Sequence, residues 1–219
     1  LIKEGERANR FQTFKDAPAK WEAWEIDPEY ETKECKLLEF LEATVLERGP
    51  LRSLVRMHYR SLTGSTISQD VICYHRSHRI DFRTRVLWNE QQTMLKVAFP
   101  LQVKAERAHY EIQFGALSHP TNPTSPRDKA KYEIPMQQWA DLSEESFGVS
   151  LLNDCKYGCD AKHSTLRLTL IRSPHYPHPV EPWWLHDEAL TDQGSHTFTY
   201  SLYPHDDDWR NGQTIRRAR

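Results

Sequence analysis

Cysteine is scarce in this chain, and long apolar runs are missing. Its four cysteines, Cys35, Cys73, Cys155 and Cys159, are too few and too scattered among 219 residues for a disulfide framework. No apolar stretch approaches the roughly 20 residues of a membrane-spanning helix, so no membrane partner is expected. An excess of charge of one sign is lacking too: 29 basic and 31 acidic residues leave a formal net charge of −2. A nucleic-acid partner, which would call for a basic face, is therefore not expected. The one dense basic cluster, Arg216, Arg217 and Arg219, reads as a solvated terminus. Asn122-Pro123-Thr124 would accept a glycan except that Pro fills the forbidden middle position. With the scattered cysteines, this points to the cytoplasm. The opening Leu1-Ile2-Lys3-Glu4-Gly5-Glu6-Arg7 has neither an initiator Met nor a signal-peptide pattern, so a piece of a longer protein is expected. Neither an internal repeat nor a low-complexity segment is evident.

What the chain does have is alternation with period two, the mark of half-buried strands. In Leu54–Leu62, Val55, Met57 and Tyr59 point one way and Arg56, His58 and Arg60 the other. In Ile80–Trp88 the apolar set Ile80, Phe82, Val86 and Trp88 opposes Asp81, Arg83 and Arg85. Phe198, Tyr200 and Leu202 alternate with Thr197, Thr199 and Ser201, and Leu166, Leu168 and Leu170 form a fourth set. Six more runs have strand composition without a clean period: Leu37–Leu46, Ser68–Tyr74, Thr93–Lys104, Ala108–Ala116, Lys131–Trp139 and Phe147–Leu152. About ten strands with almost no helical periodicity make an all-β antiparallel sandwich or barrel the expected class. Two stretches depart from the pattern. Residues 1–34 are polar and read as a connecting segment that drapes Trp21 and Trp24 over a neighbouring surface. Ser173–Gly194, proline-rich and carrying Trp183 and Trp184, reads as a long ordered loop and not a strand.

The residues suggest little chemistry on their own. His175, His178, His186 and His205 raise a metal hypothesis, but a Pro-rich context offers no rigid platform for three or four converging ligands, and surface or loop histidines are favoured. Cys155 and Cys159 lack the second pair of a structural zinc site. Asp206-Asp207-Asp208 lacks the ligand spacing and glycine of a calcium loop and reads as a solvated turn. Glycosidase chemistry takes two carboxylates flanking a scissile bond. Glu111, Asp141, Asp154 and Asp160 are available, but spacing alone brings no pair together.

Several long runs carry a more specific signal. Leu95-Lys96-Val97-Ala98-Phe99-Pro100-Leu101 precedes Tyr110-Glu111-Ile112-Gln113-Phe114-Gly115. Phe147-Gly148-Val149-Ser150-Leu151-Leu152-Asn153-Asp154-Cys155-Lys156-Tyr157-Gly158 follows, then Leu166-Arg167-Leu168-Thr169-Leu170-Ile171-Arg172-Ser173-Pro174 and Asp192-Gln193-Gly194-Ser195-His196-Thr197-Phe198-Thr199-Tyr200. In this order and spacing the chain resembles the C-terminal region of glycoside hydrolase family 38 α-mannosidases of the cytosolic type. The loop His119–Asp128 departs from the family pattern, which usually carries a tryptophan there.

The resemblance implies a large antiparallel β-sandwich, a mutarotase-like supersandwich partial at both ends. Residues 1–34 would then be a connecting segment from upstream domains, and 35–219 the supersandwich domain, truncated at its C-terminal end. It further implies a parent enzyme that is a retaining hydrolase of terminal α-linked mannose, with two aspartates and a divalent metal, typically zinc, in an upstream catalytic domain. No cofactor, metal ligand or catalytic residue is expected within this chain, and alone it is expected to be inactive. Its implied partners are the enzyme's own upstream catalytic domain and mannose-containing oligosaccharides. The candidate substrate-binding residues are Asn153, Asp154 and Lys156, at a strand end, and Arg172, whose planar fork suits a hydroxyl-rich ligand. Two roles stay open for them: substrate contact, or a structural one in which Asp154, Lys156 and Arg172 pair with each other or stitch the domain interface. An independent carbohydrate-binding module is the alternative reading of the chain.

Overall fold

The clearest alternating segment of the sequence becomes a strand with one buried row. In Ile80–Trp88, Phe82, Thr84, Val86 and Trp88 are buried while Arg83, Arg85 and Leu87 face water. The computed structural model describes residues 1–177 and 186–219. In chain order its strands are β1 (Arg10–Lys15), β2 (Glu39–Arg48), β3 (Arg52–Arg60), β4 (Thr66–Tyr74), β5 (Ile80–Trp88), β6 (Thr93–Pro100), β7 (Arg107–Ile112) and β8 (Gly115–Pro120). They continue as β9 (Ile134–Pro135), β10 (Trp139–Ser143), β11 (Phe147–Asn153), β12 (Gly158–Lys162), β13 (Thr165–Arg172), β14 (His175–Pro177), β15 (His186–Leu190) and β16 (Gly194–Asp206). Two short α-helices, α1 (Pro126–Lys129) and α2 (Thr214–Ala218), and a 3-10 helix at Tyr30–Lys33 complete the described elements.

The strands form an antiparallel β-sandwich. A nine-stranded sheet runs β2-β3-β4-β5-β16-β11-β10-β7-β8, and a five-stranded sheet runs β1-β6-β13-β12-β9. Their inner faces share one apolar core, in which Val97, Phe99, Leu166 and Leu168 of the smaller sheet meet Phe82, Val149, Phe198 and Tyr200 of the larger. Phe99 reaches across to Phe82 at a centroid distance of 5.6 Å and to Tyr200 at 6.2 Å. Strand β16 joins the halves of the larger sheet, since Gly194–Leu202 pairs with β5 and Tyr200–Asp206 pairs with β11.

The outer face of the smaller sheet is covered as well, which explains why β6 is buried along its whole length. Phe14 and Tyr30 from the first 34 residues pack there with Met94, beside Ile26 and Tyr132. Within this N-terminal stretch Arg10–Lys15 is itself a strand, paired with β6 from Arg10↔Ala98 to Lys15↔Thr93. Its inner residues Gln12, Thr13 and Phe14 are buried on both faces, so no alternation betrayed it. Tyr30, not the tryptophans, plugs the sheet. Trp21 and Trp24 stack edge to face at 5.8 Å and stay partly exposed.

The expected loop Ser173–Gly194 is corrected in part. Its flanks form a two-stranded ribbon, β14 with β15, in which His175 pairs with Leu190 and Pro177 with His186. Proline is tolerated because, among the described residues, β14 pairs with β15 and with no further strand that would need its missing N–H. Trp183, Trp184 and His178 lie outside the described residues. Strand β12 was also unread in the sequence, because its centre is a buried charge, Asp160.

Candidate functional site

Three of the four candidate residues sit where β11 ends against β16. Asn153 is the last residue of β11 and lies opposite Tyr200. Its side chain closes the following turn: Oδ1 accepts from the Lys156 amide at 2.5 Å and Nδ2 donates to the Gln137 carbonyl at 3.0 Å. Asp154 clips onto β16, its Oδ2 accepting from the Thr199 amide at 2.9 Å and its own amide donating to the Thr199 carbonyl at 3.2 Å. The Lys156 ammonium lies 4.6 Å from the centroid of the Phe198 ring, within cation–π range. All three side chains thus have partners within the turn and β16. Next to them, partial burial and a hydrogen bond to Asp154 push the Cys155 thiol up to about 11. Burial also raises the Cys159 thiol well above its ordinary value. Since the thiolate is the reactive form, neither cysteine is poised as a nucleophile near neutral pH.

Arg172 belongs to the other sheet, at the end of β13, and does not join this group. Its Nε donates to Asp16 Oδ2 at 2.6 Å, and its NH2 group donates to the carbonyls of Glu25 at 2.6 Å and Glu22 at 3.2 Å. Glu22 in turn accepts from the His175 amide at 3.0 Å and from Gln92 at 3.2 Å. Burial alone would raise the Glu22 carboxyl, but the hydrogen bonds from His175 and Gln92 outweigh it and hold the carboxyl below the usual range. The Arg172 guanidinium staples residues 16–25 to the end of β13. Arg172→Ala would strand the buried Asp16 carboxylate, with an expected cost of about 2 kcal/mol. Thermal unfolding measures that loss, and faster limited proteolysis within 16–25 would locate it.

The main concentration of charge in the described structure escaped the sequence reading. On the outer face of the five-stranded sheet, the fully buried Lys96 ammonium meets Asp160 Oδ2 at 2.9 Å, Thr169 Oγ1 at 2.9 Å and the Glu133 carboxylate. Arg167 bonds Asp160 Oδ1 at 2.7 Å and Glu31 at 2.8 Å, and Lys162 also reaches Glu31. Cations and carboxylates balance in number. Burial opposes charge on Asp160, yet Lys96 and Arg167 overcome it and hold this carboxyl below its ordinary range. Lys96 is likewise raised, burial being outweighed by Asp160 and Glu133. Such groups neither accept nor release protons near neutral pH; the cluster is structural. A lone lysine in a strand buried on both faces, directly opposite Thr169, was the only sequence signal available.

A second buried group lies under the C-terminal tail. His205 Nε2 bonds Asp141 Oδ2 at 2.8 Å, the same carboxylate accepts from Ser150 at 2.7 Å and from Ser143, and Ser150 meets Thr214 at 2.6 Å. Glycine is required on both sides of the imidazole, because a Cβ at Gly148 or Gly212 would lie 2.3 or 2.5 Å from its ring atoms. Among the described residues, no three His, Cys, Asp or Glu side chains converge as a metal site requires. The aspartate triplet makes a turn in which Asp208 Oδ1 caps the amides of Arg210 at 2.9 Å and Asn211 at 3.0 Å.

Comparison with known proteins agrees with this architecture. Residues 1–180 match the family model described as glycosyl hydrolases family 38 C-terminal domain. "Alpha-mannosidase G" of Dictyostelium discoideum is 39% identical over 224 residues, covering 100% of this chain and 19% of that protein. "Alpha-mannosidase 2C1" of Homo sapiens is 37% identical over 218 residues, covering 99% of this chain and 20% of that protein. The chain thus spans about a fifth of the length of these relatives. In fold, a crystal structure of an alpha-mannosidase from Enterococcus faecalis superposes with a TM-score of 0.78 at 17% identity, over 99% of this chain and 28% of that one. A sandwich of this topology, matched along most of its length, places the chain in glycosyl hydrolase family 38, as a C-terminal domain of that family.

Proposed function

We propose that residues 1–219 are the non-catalytic sandwich of a longer α-mannosidase, a retaining hydrolase of terminal α-linked mannose, and that they brace its active site. The observation that carries this reading is that nearly the whole chain aligns with only about a fifth of relatives named alpha-mannosidase. The way the chain uses its own carboxylates supports it. Asp160 is held by Lys96 and Arg167, Asp141 by His205 and Asp16 by Arg172. Glycoside hydrolysis takes a pair of carboxyl groups facing the bond to be cut, roughly 5–10 Å apart. On this reading that pair, the divalent metal and most contacts to mannose-containing oligosaccharides belong to polypeptide outside residues 1–219. The partner of the sandwich is that catalytic part of the same enzyme. Arg172 serves it indirectly, by fixing residues 16–25 to the sheet. The cytoplasm is the proposed compartment, in keeping with four cysteines that are all free thiols.

Kinetics of Arg172→Ala in the full-length enzyme test the bracing role. The expected result is an unchanged KM, with activity lost in step with thermal stability. A changed KM at unchanged stability would put Arg172 on the substrate instead. Calorimetric titration of the domain with mannose oligosaccharides separates the alternative of an independent carbohydrate-binding module. Bracing calls for no response, whereas a micromolar affinity would favour the module.

A further inference from the structure

We propose that the cleft between two hairpin turns and the C-terminal helix binds a small phosphorylated ligand. The cleft, of about 900 Å³, lies between the β2–β3 turn, the β4–β5 turn and α2. Its charged side chains are five arginines, Arg76, Arg79, Arg216, Arg217 and Arg219, against a single carboxylate side chain, Asp81. The chain as a whole bears a net charge of −2, so this concentration does not follow from a basic composition.

The cleft is held open by its own contacts. Arg79 is occupied in building it: Nε bonds Asp81 at 2.6 Å and NH1 donates to the Arg217 carbonyl at 2.7 Å, tying hairpin to helix. Asp81 is further engaged by Ser201 at 2.7 Å, and the His75 amide donates to the Leu51 carbonyl at 2.9 Å, joining the two turns. Among the described residues, Arg76, Arg216 and Arg219 have no acidic partner. Three guanidinium groups around one concavity repel one another, and a multivalent anion relieves that repulsion. Their planar forks match phosphate oxygens two at a time. One wall is apolar: Leu51 is 80% exposed and Tyr74 36% exposed. A ligand with a phosphate end and a flat or apolar body fits both surfaces, and the volume is that of a small-molecule site. Inorganic pyrophosphate, a nucleotide and a hexose phosphate share the recognised chemistry.

Calorimetry on the full-length enzyme tests the site, with inorganic pyrophosphate, ATP and a hexose phosphate titrated separately at low salt. The expected result is saturable binding of at least one, weakened at least about tenfold in the double variant R76Q/R216Q. Both side chains are exposed, and an unchanged melting temperature would verify that the variant folds. The variant R76K/R216K keeps the charge but not the planar fork, and is expected to bind more weakly than the wild type and more tightly than R76Q/R216Q. Equal affinity for all three ligands means that phosphate alone is read, and a preference for ATP or the sugar means that the Leu51–Tyr74 wall reads the body. No binding of any of the three, or binding indifferent to R76Q/R216Q, overturns the assignment.

Discussion

Replacing Lys96 with alanine is expected to cost about 3–5 kcal/mol of stability, because it strands buried carboxylates. Asp160 would keep Arg167, but Glu133 would lose its cation, and nothing in the layer formed by Tyr30 and Tyr132 replaces it. Against the roughly 5–15 kcal/mol that holds a typical domain together, such a loss brings the sandwich close to unfolding at physiological temperature. Two companions separate charge from volume. Lys96→Met fills most of the space yet should lose nearly as much, since the uncompensated charge is the cause. The double variant K96M/E133Q should recover part of the loss, because the stranded carboxylate has gone and Asp160 keeps Arg167. Urea unfolding of the three variants decides the matter. If the single and double variants are equally unstable, charge compensation is not what Lys96 provides.

The next largest effect is expected at Asp141, a fully buried acceptor for His205, Ser143 and Ser150. Burial would lower the His205 imidazole, but the Asp141 hydrogen bond and charge outweigh it and raise its pKa above the ordinary value. A raised folded-state pKa gives a definite sign. The extra stability is fully present below about pH 6.5, the unfolded value, and is lost as pH rises through the folded one. Stability should therefore decline from near neutral pH upward, by at most about 1.4 kcal/mol per pH unit for one proton. Asp141→Asn should remove that slope and cost about 2–4 kcal/mol at pH 6, with Thr214 and the tail helix loosening first. Denaturant titrations of the wild-type chain and the variant across this range supply the comparison. Identical slopes would mean that His205 does not titrate against Asp141.

The sequence revealed most plainly the strand whose periodicity reports a single buried face, β5. Ile80–Trp88 carries the same bounds in sequence and structure, and the alternating sets around Val55, Leu168 and Tyr200 lie within β3, β13 and β16. Where both faces are buried, periodicity is lost or, as in β13, survives only in the residue types. Strand β1 was hidden for that reason, and β12 because its central residue is an aspartate neutralised by side chains at positions 96 and 167. The candidate residues divide in the same way. The Asn153 turn was legible as a strand end, but its partners outside the turn, the Gln137 carbonyl and Thr199 of β16, were not. Arg172 was legible as an arginine closing a strand, but its partners lie about 150 residues earlier, at Asp16, Glu22 and Glu25. Arg216, Arg217 and Arg219 read as a solvated tail. Only the docking of α2 brings them to Arg76 and Arg79, and no local pattern encodes that meeting.

Hydrolysis of an aryl α-mannoside, measured side by side for the full-length protein and for residues 1–219, bears most directly on the division of labour proposed for this domain. Turnover by the full-length protein, with the sandwich alone at background, is the expected result. Turnover well above background by residues 1–219, or none by the full-length protein, would contradict it.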